Sequence, residues 1–142
     1  MNKQLLLSLF TLLLICGYKP AYAEHALTGP DIEELLSGNT AIAVDVTGTR
    51  WRQIFLEDGS SRYYSGSRPP STGFWRVEGA QYCSQWPPNT DWACYDVVMD
   101  VRGTPKTPVV KWVSAEGSED ISAVFSGDRT FGALPHELKD FK

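Results

Sequence analysis

The sequence predicts an all-β domain, an antiparallel up-and-down barrel of about eight strands carrying one short N-terminal helix. Three observations predict it. One helical segment is followed by eight or nine short stretches rich in β-branched and aromatic residues. Turn residues punctuate the chain about every 8 to 12 positions, the spacing of small β-barrels and sandwiches. The connections are short and sequential, as up-and-down topology requires, and closure of such a meander leaves no exposed edge.

Residues 1–23 are expected to be a secretory signal peptide. Lys3 gives a positive start, Leu5 to Ile15 is almost unbroken apolar sequence, and Ala21-Tyr22-Ala23 places small residues where a signal peptidase reads. The apolar run is too short to span a bilayer, and Leu14-Ile15 before Cys16 are too bulky for a lipoprotein site. Cleavage before Glu24 leaves 24–142 as a single β-barrel domain, long enough for one real core. The expected location is the periplasm or the medium, with no membrane insertion after cleavage. Lys3 and Lys19 leave with the leader, so eleven basic residues face seventeen acidic ones. That balance disfavours nucleic acid and anionic lipid.

The mature chain opens on a helix. Thr28 can cap it, Pro30 sits where a missing N–H costs nothing, and Asp31, Glu33 and Glu34 complement the helix dipole. Ile32, Leu35 and Leu36 form one narrow apolar stripe that must dock on something. Gly38 or Asn39 is expected to end it in a left-handed conformation.

Strands are predicted over Thr40–Val46, Arg50–Glu57 and Ser60–Tyr64, the last two joined by the hairpin signal Asp58-Gly59. Gly66, Pro69 and Pro70 mark a loop over 65–72. Gly73–Gly79 follows, with Trp75 and Val77 on one face and Phe74, Arg76 and Glu78 on the other. Ala80–Trp86 is the next strand, and Pro87-Pro88-Asn89-Thr90-Asp91 is a loop. Ala93–Val101 alternates clearly: Tyr95, Val97, Met99 and Val101 face one way, and Cys94, Asp96 and Asp100 the other. Val109–Val113, Ile121–Ser126 and Thr130–Leu134 are the last candidates, before a polar tail from His136.

With Cys16 in the leader, Cys83 and Cys94 remain, and an even pair in an exported chain reads as one disulfide. It would close a loop of about a dozen residues and stabilise by about 3 kcal/mol in the chain-entropy model. Strand parity places it near the rim or on the outer surface of a sheet.

The series Leu27-Thr28-Gly29, Gly38-Asn39-Thr40, Asp58-Gly59, Gly73-x-Trp75-Arg76-Val77, Cys83, Trp86 and Cys94 resembles small exported bacterial domains of unknown function, regarded as lipocalin-like. The likeness covers most of the mature chain. It implies a compact lipocalin-like barrel and carries no catalytic residues.

Catalytic motifs are absent. His25 and His136 stand near the two ends of the mature chain and read as solvated terminal residues, leaving no histidine for a nucleophilic set. No zinc-protease, nucleophile-elbow, phosphate-loop or dinucleotide pattern occurs. Asp96 and Asp100 would stand about 13 Å apart on a strand, too far for a carboxylate pair, and read with Asp91 as solvated outer charges. No cofactor, no metal and no enzymatic activity are expected.

Aromatic residues are the remaining signal. Phe10, Tyr18 and Tyr22 fall in the leader, leaving fourteen, including Trp51, Trp75, Trp86, Trp92 and Trp112. They read either as core filling or as the lining of a cavity. Trp86 and Trp92 flank Pro87-Pro88 in the loop bounded by the cysteines and could form an exposed platform. Trp75 and Trp51 are further candidate ligand-binding residues. Arg52 and Arg76 join them: turned inward they could hold a carboxylate or phosphate, turned outward they are surface charge. The expected function is an exported non-enzymatic binding module for a small amphipathic molecule. The alternative is a protein-interaction module, such as an inhibitor of an exported or host enzyme, acting through the stapled loop.

Overall fold

A computed structural model describes residues 24–130. The expected leader and its cleavage site, His136 and all but Thr130 of the last candidate strand lie outside the described residues. Thr130 itself is not in a strand.

The elements are β1 (His25–Ala26), α1 (Gly29–Leu36), β2 (Thr40–Val44), β3 (Arg50–Phe55), β4 (Ser60–Ser65), β5 (Ser71–Glu78), β6 (Gln81–Gln85), β7 (Ala93–Met99), β8 (Val109–Ser114) and β9 (Glu119–Phe125). Strands β2 to β9 pair antiparallel with their sequence neighbours, and β9 pairs back onto β2 through Thr40↔Phe125, Ala41↔Val124 and Ile42↔Ala123. This is a closed eight-stranded up-and-down barrel with one short helix. The two-residue β1, not foreseen from the sequence, runs on β7 through His25↔Met99 and Ala26↔Val98. His25 is therefore exposed but strand-paired, not a loose terminal residue.

Helix α1 closes one end. Thr28 accepts a hydrogen bond from the Asp31 N–H, and the Asp31 carboxylate accepts from the Thr28 N–H, a reciprocal cap that fixes where the helix begins. Gly38 takes φ +74°, so it and not Asn39 is the left-handed residue that lets the chain leave the helix. The stripe then falls on the barrel: Ile32 and Leu36 have no exposed surface. Each such side chain contributes about 1.5–3 kcal/mol relative to exposure. They pack in one cluster with Phe55, Trp75, Met99 and Val124. The Trp75 indole N–H donates to the Leu56 carbonyl at 2.9 Å, and Phe55 meets the Trp75 ring edge-on at 5.6 Å.

Alternation assigns every strand face. Trp51, Gln53 and Phe55 point inward, while Arg52 and Ile54 point outward. On β5, Trp75 is buried inside and Phe74, Arg76 and Glu78 are exposed outside, as the sequence predicts. On β7, Tyr95, Val97 and Met99 join the core. Val101 does not continue the stripe: it is 56% exposed, because the strand ends at Met99 and the chain turns away. A second small cluster, Val109 and Ala123 with Ile121 and Phe125, lies outside the barrel wall.

Cys83 and Cys94 are bonded, directly opposite each other on β6 and β7. The bridge lies on the outer face, yet Cys83 is fully buried.

Asp100 departs from its expected place among solvated charges, since only 2% of it is exposed. Just past β7 its carboxylate accepts from the Arg102 backbone N–H at 2.8 Å and from the Arg102 guanidinium at 2.7 Å on each oxygen. Lys111 Nζ lies 3.8 Å away and also binds Glu24 at 2.6 Å. The hydrogen bonds from Arg102 chiefly hold the Asp100 carboxyl down at about 2. Asp91 and Asp96 are exposed as expected.

Candidate functional site

The end of the barrel opposite α1 is open. The β2–β3, β4–β5, β6–β7 and β8–β9 connections surround it. Between them the strands enclose a cavity of about 440 Å³, within the range of small-molecule sites.

Its floor is aromatic. Tyr82 and Trp112 are buried, with ring centroids 5.0 Å apart, and both rest on Phe55. Their polar atoms are satisfied by protein. Gln53 Nε2 donates to Tyr82 Oη at 2.7 Å and to Ser61 Oγ at 2.9 Å, while Trp112 Nε1 donates to Ser122 Oγ at 2.9 Å. The floor thus offers ring surface with its hydrogen-bonding groups already engaged. Burial pushes the Tyr82 phenol up to about 12, so it stays neutral.

The wall carries half-buried aromatics. Trp51 and Tyr63 lie 5.8 Å apart and tilted by 33°, and Tyr63 meets Trp86 at 5.8 Å and 65°. Tyr95 leans against Tyr82 at 6.2 Å. Trp86 reaches this position because residue 73 is glycine. A Cβ there would sit 2.5 Å from Trp86 Cε3 and 2.6 Å from the Gln85 carbonyl oxygen, inside contact distance. The Gly-x-Trp element therefore serves both ends: Gly73 seats Trp86 in the open cavity, and Trp75 fills the closed core.

Polar groups at the mouth are Asp45, Ser71 and Asp120, while the lining Ser84 is buried beside Tyr82. Asp45 Oδ1 accepts from the Thr47 hydroxyl at 2.6 Å and from the Thr47 and Thr49 N–H groups at 2.9 Å, which keeps its carboxyl ionised below the usual range. Burial raises the Tyr63 phenol, and the Asp45 and Asp120 charges push it the same way. Both carboxylates therefore act on the ring between them.

Of the sequence candidates, Trp51 and Trp86 meet in this cavity. Trp75 does not line it, being part of the closed-end core. Arg52 points outward over the Tyr64 ring at 4.0 Å and binds Asp128 at 3.1 Å. Arg76 also points outward, stacked at 3.9 Å on Trp92 and paired with Glu78. Trp92 thus belongs to the outer wall, and the stapled loop does not present Trp86 and Trp92 on one platform. Glu78 stands near Cys83 and Cys94, but bonded sulfurs offer no thiolate to a metal.

Sequence reasoning named Trp112 only among the tryptophans and missed Tyr63, Tyr82 and Tyr95. Their shared inward parity with Trp51 and Trp75 was the available signal. Among the described residues no helix is long and apolar enough to cross a membrane. No family model matches the chain, and no curated protein or solved structure matches it.

Proposed function

We propose that the protein is an exported, non-enzymatic binding module that takes a small amphipathic molecule into the open end of its barrel. One observation carries this reading: the barrel is filled at the helix end and hollow at the other, where six aromatic rings surround the cavity of about 440 Å³. A chain that needed these rings only for stability would pack them together. Here Trp51, Tyr63, Trp86 and Tyr95 are left only half buried beside the cavity, and the floor rings beneath them have their polar atoms engaged by protein. The signal-like leader and the disulfide support an oxidising compartment outside the cytoplasm.

The rival reading, protein recognition by the stapled loop, loses its main support because Trp86 and Trp92 lie on opposite faces of the wall. Tryptophan emission tests the proposal, since Trp51, Trp86 and Trp112 report directly on the cavity. Titration with a panel of small aromatic amphipaths is expected to shift emission saturably, with matching adducts in native mass spectra. Unchanged emission and an unliganded mass across the panel would reject it.

A further inference from the structure

We infer that the cavity selects organic cations, a quaternary ammonium or protonated amine on a compact apolar body, over neutral or anionic ligands of the same shape. This rests on the reading of the cavity as a ligand site and narrows the ligand's charge.

The first ground is ring geometry. Trp51, Tyr63 and Trp86 stand at 33° and 65° to one another around the mouth, and Tyr82 and Trp112 meet at 64° on the floor. Rings set at such angles make a box, not a flat platform. Six aromatic rings lining one cavity at differing angles suit a rounded cation better than a planar or extended neutral group.

Charge gives the second ground. Among the described residues, the ionisable lining groups that carry charge at neutral pH are Asp45 and Asp120, and no Lys, Arg or His lines the cavity. Asp45 is held ionised by Thr47 and Thr49. An opposing charge comes from Arg68, exposed on the β4–β5 loop, which acts on both Asp45 and Tyr63. One exposed guanidinium against two carboxylates leaves the mouth negative. The mature chain is acidic as well, so a cation is drawn inward and an anion is repelled.

The outward arginines complete the pattern. Arg52 and Arg76, the groups that could have recognised a carboxylate or phosphate, spend their charge outside the wall on Asp128 and Glu78. Neither of these two arginines is thereby turned to receive an anion in the cavity.

Isothermal titration of the full exported chain with three meta-substituted benzenes of similar size tests the inference. They are (3-hydroxyphenyl)trimethylammonium, its uncharged isostere 3-tert-butylphenol, and the anion 3-tert-butylbenzoate. The cation is expected to bind at least about tenfold more tightly than the phenol, with the benzoate weakest. Added salt should narrow the gap by weakening the cation alone. Asp120→Asn with Asp45→Asn should reduce the preference to about threefold or less, chiefly by weakening the cation. Asparagine at 45 retains the oxygen that accepts from the Thr47 and Thr49 N–H groups, and Asp120→Asn alone gives a second reading if the double variant fails to fold. Phenol binding equal to or tighter than cation binding would overturn the inference while the cavity-binding proposal stood. A preference that survives both substitutions would overturn the role of the carboxylates. No binding by any probe would remove the inference and the proposal beneath it together.

Discussion

The two ends of this barrel use the same residue types for opposite purposes. At the closed end Phe55 and Trp75 pack edge to face beneath Ile32 and Leu36, and the Trp75 N–H is bonded to backbone. At the open end Tyr63 stands 5.8 Å from both Trp51 and Trp86, yet no described residue fills the space between them and the floor. The difference lies in the covering element. The apolar stripe of a helix docks on one end, while the other is ringed by polar turns such as Asp45–Thr49 that cannot supply a plug. Aromatic content therefore does not by itself indicate a core or a site; what lies over the rings decides.

The largest test of this contrast exchanges tryptophan for alanine at each end. Trp75→Ala removes a buried ring and its hydrogen bond and is expected to cost about 3–5 kcal/mol in denaturant unfolding. Trp86→Ala should cost about 1 kcal/mol, since the ring is only half buried, but should weaken binding of a cavity probe about tenfold or more. Equal stability losses would erase the distinction between plug and cavity.

Next in size is the disulfide, which clips the open-end hairpin of β6 and β7. Cys83→Ala with Cys94→Ala should lower stability by about 3 kcal/mol, the chain-entropy value for a loop of this length. Chemical denaturation of oxidised wild type and the double variant measures it, and a difference below experimental error would mean the unfolded hairpin is already constrained. Gly73→Ala follows. Its backbone conformation suits alanine, so the effect is steric: the added methyl meets Trp86 and the Gln85 carbonyl. A loss of about 1–3 kcal/mol is expected, together with a blue or red shift of tryptophan emission as Trp86 is displaced. Unaltered emission and unaltered probe affinity would show that the close approach does not seat Trp86.

Much of this was legible locally. The Thr28 cap, the Asp58-Gly59 hairpin and the two-residue alternation of β5 and β7 are short-range features, and they set the barrel's strands and faces. Alternation could also have divided the candidate set further. Trp51 and Arg52 are adjacent, as are Trp75 and Arg76, so the members of each pair face opposite sides of the wall and cannot both line a cavity. Height along the barrel was not legible. Trp51 and Trp75 share the inward face, but strand stagger and helix docking place one at the mouth and the other in the plug. The burial of Asp100 was hidden for the same reason. It depends on Lys111 from the next strand and on a turn after Met99 that the alternating pattern ran through.

The smallest effect compares carboxylates at the two ends. Asp100, at the closed end, has its carboxyl at about 2 against an ordinary 3.8. The folded protein therefore binds fewer protons there than the unfolded chain between those values. The stabilisation is complete above about pH 5 and is lost as pH falls through 4 toward 2. Because the Arg102 side chain is 43% exposed, solvent screening reduces the contribution to about 1–2 kcal/mol. Asp45 at the open end is also held below its usual range, by Thr47 and Thr49, but it is solvated and asparagine can keep its backbone contacts. Melting curves at pH 7 and pH 3 separate the two. Asp100→Asn should lose most of the difference in melting temperature that wild type shows between these pH values, whereas Asp45→Asn should retain it. If Asp45→Asn flattened the profile as strongly as Asp100→Asn, acid sensitivity would reside at the cavity mouth, and the closed end would be the more tolerant of the two.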